Sequence, residues 1–152
     1  MIEFTIRQIS AAETIPLRHS VLRPHQPIEA CHYPGDDDEV NFHIGAFYNG
    51  ELVSVASYFL QKHPDLNGTP QYRLRGMATA PELRGEGAGS QLLVKGNEIL
   101  QKKGVPVWWC NARISAAGYY EKAGLSQLGG IFEIKSIGMH KVMYLRLAPR
   151  QK

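Results

Sequence analysis

The chain has 152 residues, of which 43% are hydrophobic and 20% charged, and it carries a formal net charge of +3. That is long enough to bury a core without disulfide or metal staples, and too apolar for a disordered segment. Lysine and arginine are scattered with no five-residue basic block, so no nucleic-acid partner is expected, while an anionic small ligand is compatible with the charge. We expect one domain over residues 1–152. Cys31 and Cys110 match no CxxC or metal-ligand spacing and read as reduced thiols, with no metal. The N-terminus lacks the apolar stretch of a signal peptide and no run is long enough to span a bilayer, so a soluble cytoplasmic protein without a membrane partner is expected.

Ile2, Phe4 and Ile6 alternate with Glu3, Thr5 and Arg7, which predicts a half-buried first strand. Ser10 offers an N-cap for a helix over residues 11–22, interrupted by Pro16. Residues 23–39 are irregular and end in the acidic run Asp36-Asp37-Asp38-Glu39, which reads as a solvated loop; a long loop of this kind beside a ligand site is where substrate selectivity resides. Residues 42–48 and 51–61 are rich in β-formers and flank Asn49-Gly50, the signature of a two-residue hairpin. Tyr72 to Thr79 predicts a central strand, with Gly76 marking a bulge or a close backbone approach. Leu92, Leu93, Gly96, Ile99 and Leu100 recur at helical spacing up to Gly104, and residues 105–110 form a short buried strand. Ala116, Ala117, Tyr120 and Ala123 mark one face of a short helix closed by Gly124, and residues 132–136 and 140–147 pair as the last strands.

The most informative segment is Arg84-Gly85-Glu86-Gly87-Ala88-Gly89, lying between a predicted strand and a predicted helix. Glycines at alternate positions let backbone and ligand approach closely, and a helix start gathers free amides and the positive dipole end, which suits a phosphate or pyrophosphate. A dinucleotide fingerprint would need glycine where Leu92 stands, and a P-loop would need Gly-Lys-Ser/Thr where Ser90-Gln91-Leu92 stands. A glycine-rich turn with no ligand fits these six residues equally well.

Wider motifs break that tie. Met77-Ala78-Thr79-Ala80-Pro81-Glu82-Leu83-Arg84-Gly85-Glu86-Gly87-Ala88-Gly89-Ser90 resembles the fourth strand and pyrophosphate loop of the GNAT superfamily of N-acetyltransferases. Asn111-Ala112-Arg113, Ala116 and Tyr119-Tyr120-Glu121-Lys122-Ala123-Gly124-Leu125 look like the end of the family's fifth strand and its tyrosine-bearing helix. Phe132, Ile137-Gly138, His140 and Met143 are similar to the closing strands of one bacterial branch. The resemblance implies an α/β (α+β) fold: a mixed, mostly antiparallel sheet of about seven strands, flanked by about four helices and splayed between strands four and five. It also implies acetyl-CoA as cosubstrate, a primary amine as acceptor, and a homodimer as one possible assembly.

The resemblance assigns the pantetheine arm to Met77, Ala78 and Thr79 and the pyrophosphate to Arg84, Gly85, Glu86, Gly87, Ala88, Gly89 and Ser90, with Arg84 as a loop arginine that only pairs with a nearby carboxylate the equal alternative for that side chain. Further cofactor contacts fall to Asn111, Ala116, Tyr119 and Tyr120. Arg113 stands where many relatives have asparagine, so either it or Asn111 is the cofactor contact, and Asn111 is also placed to cap the following helix. Aminolysis of a thioester needs a proton donor at the sulfur and amides at the oxyanion. Tyr120 takes the first role by resemblance and the Met77 amide the second, while Tyr119 and Tyr120 as plain core aromatics remain the alternative. His140 is the candidate base, beside Glu133, His43 and water, and each histidine could equally serve only as a hydrogen-bonding strand residue. Cys110, with no paired histidine or cysteine in sequence, reads as inert, which favours direct transfer over a ping-pong route. An acyl-CoA sensor without turnover, or an interaction domain with an empty loop, are the other classes compatible with these residues.

Overall fold

The computed structural model describes residues 2–149. Seven strands form one sheet in the order β1-β2-β3-β4-β5-β7-β6, and three α-helices accompany it. These are β1 (Thr5–Ile9), α1 (Ala11–Leu17), β2 (Phe42–Tyr48), β3 (Glu51–Leu60), β4 (Gln71–Thr79), α2 (Ala88–Lys102), β5 (Val107–Arg113), α3 (Ala117–Lys122), β6 (Ser126–Ile134) and β7 (Gly138–Arg146). The β1/β2, β2/β3, β5/β7 and β6/β7 ladders are antiparallel and β4/β5 is parallel, as the mixed-sheet expectation requires. The parallel ladder joins Gln71, Tyr72 and Arg73 to Val107, Trp108 and Trp109.

Among the described residues there are three α-helices against the roughly four expected. The predicted helix over 11–22 starts as expected, with Ser10 and Glu13 forming a reciprocal capping box that satisfies two orphan amides. Pro16 has no N–H to offer, and after Leu17 the chain winds into a π-turn over Arg18–Leu22, in which the Arg23 amide bonds to the Arg18 carbonyl at 3.1 Å. β1 starts at Thr5 rather than Ile2, and β6 starts at Ser126, well before Phe132. The Asn49-Gly50 hairpin is as read, with φ of 50° and 80°, the left-handed pair a type I′ turn demands.

The described residues pack as two compact units, one of those up to Phe59 together with Leu74–Ile99, the other of Leu60–Arg73 together with those from Leu100 onward. In the first, Ile9, Val55 and Ala78 form a core that Leu17, Val21 and Phe47 extend. α2 turns Leu92 and Leu93 inward there, and its Gly96 faces the buried Tyr58. A Cβ on Gly96 would lie 2.7 Å from Tyr58 Cε1, and that ring cannot yield because it stacks on Phe42 at 5.0 Å. Gly96→Val is therefore expected to destabilise by about 2 kcal/mol through overpacking. That would lower the melting temperature by roughly 4–8 °C in calorimetry, despite removing a glycine from a helix. In the second unit Leu66, Val107, Trp109 and Val142 form the core, extended by Leu128, Phe132 and Tyr144.

Candidate functional site

The glycine loop occupies the first unit. Pro81–Leu83 makes a 3-10 turn, Arg84 to Gly87 follow exposed to solvent, and α2 begins at Ala88. Gly85 and Gly87 have φ of +81° and +90°, a region closed to most side chains, and a Cβ on either would project into open space. The Gln91 amide bonds to the Gly87 carbonyl at 3.1 Å, so a helix beginning here leaves the amides of Ala88, Gly89 and Ser90 without intrahelical partners. No acidic residue stands in the first turn of α2, although Glu86 precedes it. The start of this 15-residue helix has the backbone geometry that suits an anion.

Upstream of the loop, β4 carries Gly76 at φ +62°, the irregularity its glycine predicted, followed by half-buried Met77, buried Ala78 and half-buried Thr79. Thr79 Oγ1 lies 2.7 Å from Ser54 Oγ.

The acidic run is not uniformly solvated. Asp37, Asp38 and Glu39 are exposed, but Asp36 is buried and forms a two-pronged pair with buried Arg18, at 2.7 and 3.0 Å. Arg18 also donates to the Cys31 carbonyl and to Ser57 Oγ, both at 2.9 Å, while the Tyr33 amide donates to Asp36 at 2.8 Å. His43 completes the network through both ring nitrogens, with Nδ1 2.6 Å from Ser57 Oγ and Nε2 2.9 Å from the Asp36 carbonyl. Burial raises the Asp36 pKa, but Arg18 and the Tyr33 amide outweigh it and the net shift is downward. Burial likewise depresses the pKa of His43, keeping the ring neutral. The Pro34-Gly35 turn ahead of Asp36 was the one available sign that the run folds back rather than trailing into water.

The other expected residues belong to the second unit. Tyr120, in α3, is half-buried and packs edge-to-face on Tyr119 at 5.2 Å; Tyr119 itself is exposed. Its backbone is held by a glycine C-cap, where Gly124 at φ +99° lets the Leu125 amide reach the Tyr120 carbonyl at 3.0 Å. Burial first, then the neighbouring Cys110 and Tyr119, push the Tyr120 hydroxyl pKa far up, so the phenol keeps its proton. Cys110 is buried and its thiol is pushed up to about 12 by burial, which removes it as a nucleophile at neutral pH.

Asn111 lies inside β5, opposite Val142, and does not cap the next helix: the strand continues to Arg113, which precedes the 3-10 turn Ile114–Ala116 with no side-chain cap. Asn111 instead lines a cavity of about 700 Å³ with Trp109, Arg73, Phe132, Gly129 and Gly130. Trp109 is fixed there by its Nε1, which donates to the Gln61 carbonyl at 2.9 Å, and by the Arg73 guanidinium 5.2 Å from its ring. His140 is buried, with Nδ1 2.8 Å from the Gly138 carbonyl, and Glu133 is exposed on β6. Among the described residues no group of three or more His, Cys, Asp and Glu could hold a metal, and no helix is long and apolar enough to cross a membrane.

The Acetyltransferase (GNAT) family profile matches residues 6–125. The uncharacterized N-acetyltransferase YitI of Bacillus subtilis (strain 168) is 46% identical over 142 residues, which span 93% of this chain and 95% of that protein. Two solved structures share the fold. Escherichia coli ElaA has a TM-score of 0.72 at 20% identity, covering 93% of this chain and 99% of its own. An aminoglycoside 6'-N-acetyltransferase complexed with coenzyme A has a TM-score of 0.69 at 14% identity, covering 97% and 99%.

Proposed function

Because the chain belongs to the GNAT family of acetyltransferases, we propose that it moves an acetyl group from acetyl-CoA to a primary amine by direct attack in a ternary complex. The observation that carries this reading is the helix start at Gly87–Ser90, where left-handed glycines keep the space over the amides clear. A pyrophosphate matches that cradle in charge and size. A bound coenzyme A in one fold relative supports the same ligand class. The thioester supplies an activated acyl carbon, and the side chains do the rest. Met77 offers its amide to the oxyanion and Tyr120 gives its proton to the departing sulfur as the C–S bond breaks and the N–C bond forms. The amine's proton leaves to water or to His140, and the tyrosinate recovers one from solvent. The inert Cys110 supports a route without an acyl-enzyme.

Arg84, Gly85, Glu86, Ala88 and Gly89 complete the pyrophosphate contacts in this proposal, with Ala78 and Thr79 along the pantetheine and Asn111, Ala116 and Tyr119 as additional cofactor contacts. We take residues 1–152 to act as one domain in the cytoplasm, with the outermost strands β1 and β6 available for a homodimer.

Calorimetric titration with coenzyme A tests the cradle. Wild type is expected to bind, and Gly87→Val, which forces a β-branched residue to φ +90°, is expected to lose about tenfold or more in affinity, since such backbone strain costs roughly 1–3 kcal/mol. Absent binding heat in wild type would discard the assignment. Binding without acetyl-CoA consumption across a broad amine panel would mark a sensor instead.

A further inference from the structure

Tyr33, itself buried, gathers three guanidinium groups in the first unit: Arg18 at 4.0 Å from the ring centroid, Arg75 at 4.4 Å and Arg23 at 5.5 Å. Their charges are not balanced alike. Arg18 is neutralised by Asp36, and Arg23 donates to the neutral side chain of Gln26 at 3.2 Å. Arg75, half-buried on β4, makes no hydrogen bond or ion pair among the described residues; it has only the ring faces of Tyr33 and of Phe59, 5.7 Å away. Ring stacking leaves the five N–H donors of a guanidinium in the plane unserved. The remaining acids of the neighbouring loop, Glu29, Asp37, Asp38 and Glu39, are exposed and none pairs with it. Burial first, with smaller contributions from the charges of Arg23 and Arg18, lowers the Arg75 pKa against opposing upward contributions from Tyr33 and Asp36.

The backbone explains how this group came to face Tyr33. Side chains normally alternate along a strand, yet a Cβ on Gly76 would also meet the Tyr33 ring at 3.1 Å. The left-handed φ at Gly76 brings two consecutive residues to one side, as a bulge does. Arg75 is two residues before Met77, roughly 7 Å along the strand.

We propose that Arg75, backed by Arg23 and framed by Tyr33 and Phe59, is a carboxylate-recognition position for the acceptor, making the substrate an amino acid or another amine that carries a carboxylate. A planar guanidinium fork with no internal acid matches a carboxylate in shape and charge, whereas the phosphates of the cosubstrate are served by backbone amides at Ala88, Gly89 and Ser90. The inference rests on the transferase reading, in which Met77 borders the acyl carbon.

The test measures kcat/KM at saturating acetyl-CoA for a set of free amino acids, the same amino acids as C-terminal amides, phosphoethanolamine and spermidine. Wild type is expected to prefer acids over their amides by about 10- to 100-fold, the worth of a charge-assisted bidentate contact. Arg75→Gln should bring acid and amide to near parity with the acetyl-CoA KM unchanged, and Arg75→Lys, which keeps charge but not the fork, should fall between. A parallel calorimetric titration of N-acetyl amino acids and their amides, with coenzyme A present, needs no turnover. Turnover that ignores the carboxylate, or favours phosphoethanolamine or spermidine, overturns this inference and leaves the transferase reading intact. Acid-selective, Arg75-dependent binding without acetyl-CoA consumption keeps the carboxylate position and sinks the transferase reading. No binding and no turnover across the set overturns both.

Discussion

Tyr120→Phe is expected to lower kcat by about 10²- to 10⁴-fold, the usual worth of a positioned general acid, while the KM for acetyl-CoA changes little. Phenylalanine keeps the ring that packs on Tyr119 and removes only the hydroxyl, so the loss should fall on the chemical step. The direction of the Tyr120 shift sharpens the test. A phenol whose pKa is raised by burial stays protonated across the working range, so Tyr120 should contribute no loss of rate on the alkaline side. Wild type and variant should show pH–rate curves of the same shape, displaced in height, with the acid-side limb set by the amine. An undiminished maximal rate in the variant would remove Tyr120 from the chemistry.

Asp36→Ala is expected to cost about 3–5 kcal/mol of folding stability, because it leaves the Arg18 guanidinium fully buried without its counter-charge. For a chain of this length that is roughly 6–20 °C in melting temperature, a large share of the whole margin. The double variant Arg18→Met, Asp36→Leu removes both charges and should recover most of the loss, which separates a broken ion pair from simple loss of packing. The same network sets an acid limit. The folded pKa of Asp36 lies below its unfolded value, so its stabilisation is present above the usual carboxylate pKa and is lost as pH falls through the folded one. His43 also has a folded pKa below its usual 6.5, so the folded state resists protonation and stability falls as pH drops below that value. Melting temperatures in wild type should decline below pH 6.5 through His43 and again below pH 3.8 through Asp36, and the second decline, read between about pH 4 and pH 2, should be absent in the double variant.

What could be read from the chain alone follows from how local each signal is. The Asn49-Gly50 turn, the Ser10 cap, the glycine loop and the Tyr120 helix are written in a few adjacent residues, and their geometry is the one their side chains dictate. The Arg18–Asp36–Ser57–His43 network was not legible, because its members come from a π-turn, a loop and two strands, and nothing in Asp36-Asp37-Asp38-Glu39 distinguishes the one carboxylate that turns inward. Gly76 was legible as an irregularity, but not its result, that Arg75 and Gly76 both meet Tyr33. The extent of β6 escaped because Gly129-Gly130 looks like a loop; the strand passes through it with a register shift between Leu128 and Phe132.

Both sulfhydryls of the chain, Cys31 and Cys110, are sealed inside. With no thiol at the surface, thiol-directed alkylating agents find nothing to attack while the fold is closed, whereas a peroxide still meets the exposed thioether of Met139. A single engineered surface cysteine would therefore be the sole point of attachment for a fluorophore or spin label.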